Sequence, residues 1–201
     1  MRQWALEKAS LTDPDAHNMR FADKAIRPGL NAQIAAVTQK SIIISIEMTD
    51  RRNDSGLALP MVEDIKRRYG AASRDLLIDT HYATVKDIAA LGAGEGDPVR
   101  VFAPPPPEKE NITPRAMVNR RSQRAREPDC VKQWRARMET AAGQDIYRRR
   151  KLIERVNANL KNHGFDVLPV RGLIKAKAVA LLHAIAHNLM TAHRLRLPAA
   201  A

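Results

Sequence analysis

The sequence predicts an α/β domain, and three observations carry that expectation. Two short Ile-rich runs, residues 32–37 and 41–48, are separated only by the polar Thr38-Gln39-Lys40, the pattern of two antiparallel strands. Two further apolar runs, 76–78 and 99–102, enclose a segment of helical spacing. From about residue 131 onward the apolar side chains recur mainly at helical intervals.

In chain order, residues 1–30 are punctuated by Pro14, Pro28 and Gly29 and read as an irregular connector. The hairpin over 32–48 opens the domain proper, 31–201. After a polar loop at 49–56, residues 57–69 have helical spacing, with Leu59, Met61, Val62, Ile65 and Tyr69 available to face a core and Gly70 as the stop. Leu76-Leu77-Ile78 then reads as a strand ending in Asp79, residues 83–91 as a helix and 99–102 as a further strand. The four prolines 104–107 can continue neither sheet nor helix, so an insertion begins there. It spans about 104–130, is rich in Pro, Arg and Asn, and is expected to be an extended, partly disordered excursion over the surface. Helices follow at 131–142 and 144–162, then a short strand-like segment at 166–170 and a final helix over 172–195. No internal repeat is present.

Composition narrows the partner. Hydrophobic residues make up 44% of the 201, enough for a core, while charged residues make up 28% and the net charge is +12, which points to a polyanion. Residues 115–155 hold 13 Lys or Arg against 5 Asp or Glu and so carry +8 of that charge, which makes them the candidate phosphate-contacting surface; a solvated charged face is the plainer reading. Cys130 is the only cysteine, which excludes a disulfide framework and a cysteine-based zinc site and suits a reducing compartment. The first residues lack the basic-then-apolar pattern of a signal peptide, and a cytoplasmic location is expected. The most apolar stretch, 176–192, is interrupted by His183, His187 and Asn188 and reads as a buried helix rather than a membrane span.

Within the expected helix 144–162, Tyr147, Arg150, Glu154 and Lys161 sit at relative positions 0, 3, 7 and 14. At about 100° per residue they share an arc of roughly 60°, while Leu152, Ile153, Val156 and Leu160 supply the packing face. A carboxylate flanked by cations suits metal and phosphate together, with Glu154 on a divalent cation and Arg150 and Lys161 on DNA phosphates. A salt-bridged helix surface has the same spacing.

This pattern, Tyr147, Arg150, Glu154 and Lys161 at full spacing, resembles the signature around the last catalytic acid of bacterial insertion-sequence transposases with a DDE active site. Other blocks recur in the same order as in that family: Thr12-Asp13-Pro14-Asp15-Ala16, Gly29-Leu30-Asn31-Ala32-Gln33, Asn53-Asp54-Ser55-Gly56, Pro60-Met61, Leu77-Ile78-Asp79-Thr80-His81-Tyr82, Val170-Arg171-Gly172-Leu173 and His187-Asn188-Leu189. The resemblance implies a ribonuclease H-like mixed sheet flanked by helices. It also implies a pair of Mg2+ (or Mn2+) ions held by three acids, for phosphodiester cleavage and strand transfer. Asp79 and Glu154 fall where two of those acids stand, as catalytic and metal-ligating residues, with Tyr147, Arg150 and Lys161 as DNA contacts. The first acid is replaced by Val37, which cannot ligate a metal, and His81 stands where the family usually has glycine. Asp54 is an alternative third ligand, and impaired catalysis is the other explanation. Residues 1–30 would then be the connector from a missing N-terminal DNA-recognition region, and the chain a fragment or degenerate copy. The expected partners are the element's terminal inverted repeats and a second copy of the chain in a synaptic complex, with no membrane. A DNA-binding remnant without catalysis is the alternative function.

Other features are discounted. His183 and His187 are one turn apart, but Ala184 stands where a metalloprotease helix needs glutamate, so a structurally satisfied pair is expected. The glycine-rich segment 91–96 lacks a following Lys-Ser or Lys-Thr and reads as a turn. Trp134 either stacks on a base or packs beneath a neighbouring helix.

Overall fold

A computed structural model describes residues 10, 12–21, 23–94, 98–107 and 113–196. The first nine residues of the expected connector, residues 95–96 of the glycine-rich turn and 108–112 of the insertion lie outside the described residues. The chain divides into two compact units, Met1–Asn53 with Lys151–Ala201 and Asp54–Arg150.

Unit 1 contains two antiparallel hairpins. The first, β1 (His17–Arg20) with β2 (Ile26–Gly29), lies where an irregular connector was expected. Lys24 takes a left-handed conformation at φ 66°, Phe21 and Ala25 close the turn at 2.9 Å, and Arg27 pairs with Asp23 at 2.6 Å while lying 4.0 Å above the Phe21 ring. Pro28 is tolerated in β2 because a two-stranded ribbon consists of edges, where a missing N–H costs no ladder bond. The second hairpin, β3 (Asn31–Ala36) with β4 (Ile43–Thr49), follows the sequence expectation closely. Two helices cover it, α6 (Lys151–Asn162) and α7 (Leu173–Arg196). Their shared core is Ile43, Ile46, Val156, Leu160, Ala180 and Ala184.

The strand expected at 166–170 is absent. Gly164, left-handed at φ 87°, ends α6, Phe165 returns its N–H to Leu160 O at 3.0 Å, and Pro169 removes a donor that a strand would need. Helix α7 also departs from expectation. By length and composition it is long and apolar enough to cross a membrane. It buries its small face, Ala176, Ala180 and Ala184 with His187 and Thr191, whereas Ile174, Leu182, Ile185 and Leu189 are exposed. Small residues let the helix approach β4 closely, so the larger side chains fall on the other side.

Unit 2 is built on a parallel pair, β5 (Asp75–Leu77) with β6 (Arg100–Phe102), joined through α2 (Val85–Gly92). Helix α1 (Ala58–Tyr69) precedes it, and Gly70 ends α1 in the left-handed conformation at φ 74°. Helices α3 (Pro114–Ala125), α4 (Asp129–Glu139) and α5 (Ala141–Arg148) complete the unit. The core joins Val62, Ile88, Leu91, Val101 and Phe102 with Val131, Trp134 and Met138, the last three at the i, i+3, i+7 spacing of one helix face. Each described strand pairs with only one other, so the strands form three two-stranded sheets.

Two further expectations change here. The insertion expected to be extended contains the 12-residue helix α3, capped by Thr113, whose hydroxyl accepts from Ala116 N at 3.4 Å. It had no apolar periodicity to betray it, because none of its described side chains is buried. The helix expected over 144–162 is interrupted: Arg149 N bonds Ile146 O at 3.1 Å and Arg150 N bonds Tyr147 O at 2.9 Å, tight turns of the i to i−3 kind. Four consecutive cations, Arg148-Arg149-Arg150-Lys151, span this break.

Candidate functional site

In unit 2, Asp79 stands just past β5, where Ile78 N extends the pairing to Phe102 O at 3.1 Å. Its backbone carbonyl accepts from Tyr82 N at 3.0 Å and Ala83 N at 3.3 Å, and its own carboxylate accepts from Thr80 N at 2.8 Å. The turn into α2 therefore holds this side chain outward, 57% exposed. Arg150 Nη1 lies 4.0 Å from the Asp79 carboxylate, and the same guanidinium sits 5.7 Å from the centre of the Tyr147 ring. Tyr147 packs against the unit's core. A layered arrangement results, with core, aromatic ring, cation and carboxylate in succession. So exposed a pair contributes less than about 1 kcal/mol to stability, so its effect is to place a cation beside the acid. Burial, and secondarily the charge of Asp54, push the Tyr82 phenol well above its usual range, which puts Asp54 within electrostatic reach of the Asp79 turn.

In unit 1, Glu154 lies in the first turn of α6 and Lys161 in its last, both exposed, a placement that complements the helix dipole. Val156 and Leu160 bury the opposite side, as the spacing predicted. Val37 follows β3 at the hairpin turn, with its N–H on Ile42 O at 2.8 Å and its carbonyl accepting from Ser41 N at 2.9 Å. Its side chain is 41% exposed. Ala36 and Ile153 both pack against the unit 1 core.

The four residues of the sequence pattern therefore do not form one helical stripe. Tyr147 and Arg150 belong to unit 2 with Asp79; Glu154 and Lys161 belong to unit 1 with Val37. Within each unit, no three His, Cys, Asp or Glu side chains among the described residues gather as a metal cluster would. The approach of Arg150 to Asp79 was invisible in the sequence, since no local spacing links positions so far apart.

The basic stretch divides between structural and outward-facing cations. Arg135 makes a forked pair with Glu127 at 2.8 and 3.0 Å, and this bond holds the Glu127 carboxyl below its usual range. Arg137 donates to Val101 O at 2.9 Å, and burial lowers its guanidinium from its ordinary value. Arg148 pairs with Asp145 and Lys132 with Asp129. Trp134 is 1% exposed and donates from Nε1 to Ala103 O at 2.9 Å, so it packs rather than stacks on a base.

Several short blocks are joined in unit 1. Asp13 accepts from Gly172 N at 3.0 Å and Asp15 from Leu173 N at 2.9 Å, closing the Thr12–Ala16 block onto the start of α7. His187 Nε2 bonds Ser41 O at 2.9 Å, and the Asn188 amide both donates to Ile43 O and accepts from Ile43 N at 2.8 Å. His183 stacks obliquely on Phe165 at 5.2 Å. The histidine pair is thus engaged structurally.

A family model described as the transposase DDE domain matches residues 8–189. No curated protein and no solved structure matches the chain. The match covers most of the chain, which therefore belongs to the transposase DDE domain family.

Proposed function

We propose that this chain is a DDE transposase catalytic domain of a bacterial insertion sequence, directed at the terminal inverted repeats of its element and impaired in phosphodiester cleavage. Membership in the family implies DNA as the substrate. The observation that carries the impairment is Val37, a hydrocarbon at the end of β3 where the resembled signature has its first acid. In this reading Asp79 and Glu154 are the surviving acids, Tyr147 and Arg150 orient the surroundings of Asp79, and Lys161 meets a phosphate. Domains of this family generally use divalent metal ions, and Mg2+ or Mn2+ is the group implied. The donor set does not fit it: Asp79 and Glu154 are two of the three carboxylates that the resembled site shares between a pair of ions, and the hydrocarbon of Val37 offers no oxygen in place of the third. A ribonuclease H-like fold is part of the same reading, supported by the order hairpin, helix, strand, helix, strand. So are a cytoplasmic location and pairing of two copies on two element ends. A second reading, DNA binding without cleavage, is favoured by the same Val37.

The test is nicking of terminal-inverted-repeat DNA with Mg2+ or Mn2+. The natural chain should leave DNA intact, while Val37→Asp should raise nicking by at least about a hundredfold and lose it again when Glu154→Ala or Asp79→Ala is added. Cleavage by the natural chain that survives Glu154→Ala would overturn the site. DNA binding by Val37→Asp without cleavage would select the second reading.

A further inference from the structure

We infer that α3 is a duplex-DNA contact that lies in a groove with arginines on both flanks, an inference that rests on the reading of DNA as the partner. Between residues 113 and 126 stand Arg115, Arg120, Arg121, Arg124 and Arg126, and no carboxylate. The helix buries none of its described side chains: Met117 and Val118, its largest apolar ones, are 55% and 68% exposed. A helix of 12 residues without a packing face is marginal in water. Thr113 and the proline after it start the helix, but nothing in its own packing sustains it. A polyanion supplies the missing contact to the exposed Arg115, Arg121 and Arg126.

The geometry favours a double-stranded polyanion. At about 100° per residue, Arg115 and Arg126 fall on one side of the axis and Arg120, Arg121 and Arg124 on the other. A helix about 18 Å long, lying in a major groove about 12 Å wide, brings these two sets toward the phosphates of opposite strands. Guanidinium groups suit phosphate by their planar fork. A lipid surface fits poorly, since Met117 and Val118 make no continuous apolar face. Further along the basic stretch, Arg135 is paired to Glu127, Arg137 is turned onto Val101 O and Arg148 is paired to Asp145, whereas Arg115, Arg121 and Arg126 are exposed.

The test compares the natural chain, the triple variant Arg115→Gln/Arg121→Gln/Arg126→Gln, and a charge-matched control, Lys40→Gln/Lys86→Gln/Lys175→Gln. Binding to a short duplex is measured by fluorescence anisotropy between about 50 and 200 mM salt. The α3 variant should lower the slope of log affinity against log salt by about 2 to 3 and weaken low-salt binding at least tenfold, with an unchanged circular dichroism spectrum; the control should change the slope by less than about 1. Amide exchange in 114–125 of the natural chain should slow on adding duplex. An α3 variant that binds like the natural chain, a control that loses as much, or displacement of duplex equally by single-stranded RNA or anionic vesicles overturns the inference. Failure of the natural chain itself to bind any duplex would sink the DNA reading as well, so the two failures are read in different arms.

Discussion

Unit 1 and unit 2 each carry one acid of the proposed site, Glu154 and Asp79, and they differ in what surrounds it. Unit 2 retains Asp79 together with its neighbours: the strand that delivers it, the turn that aims it, and Arg150 above Tyr147. Unit 1 retains its scaffold in equal detail, with Asp13 and Asp15 closed on α7 and the Asn188 amide spliced onto β4, yet position 37 holds valine. The hairpin closes normally around Val37 because its bonds are made by the backbone. Folding and chemistry have separate requirements here: on the proposed reading valine stands where a carboxylate would act, and the backbone bonds of the hairpin do not depend on which side chain stands there.

That contrast can be broken by substitutions aimed at each scaffold. The largest effect is expected in unit 2, where Trp134→Ala removes the largest fully buried side chain and its bond to Ala103. Urea denaturation should report a loss of about 3–5 kcal/mol, and a loss below 1 would mean that this core does not hold the unit together. In unit 1, Asn188→Ala strips both partners from the Ile43 backbone, and about 2 kcal/mol should disappear, with faster amide exchange at Ile43. Unchanged exchange would show that β4 needs no such splice. The smallest effect is expected at the α3–α4 junction, where Glu127→Gln should cost about 1 kcal/mol at neutral pH. Because Arg135 holds the Glu127 carboxyl low, its contribution is present above the ordinary carboxylate pKa and fades as pH falls through the lowered one. The natural chain and the variant should therefore converge in acid, and a gap that widens there would contradict the pairing.

Much of the architecture was legible where burial writes a period into the sequence. The β3–β4 hairpin, α1 with its Gly70 stop, the strand before Asp79 and the long α7 all emerged from apolar spacing and glycine position. What escaped had no such period. Helix α3 buries none of its described side chains, β1 and β2 form a ribbon that tolerates Pro28, and the break at Arg149 and Arg150 is marked by neither a proline nor a glycine. The candidate residues were picked out by their types and by a spacing that resembles the family's signature, but the common helix expected for them is interrupted. Its real neighbours, such as Arg150 with Asp79, are set by tertiary contacts that leave no trace in local sequence.

The splice between Asn188 and Ile43 spans 145 positions of chain. During synthesis at about 5–20 residues per second, the hairpin therefore waits roughly 7–30 s on the ribosome before the helix that completes its edge is made. Unit 2 lies wholly within that interval of chain and can close first. Vectorial synthesis thus leaves the Ile-rich β4 as a temporarily open strand edge, a template for pairing with other chains until α7 is made.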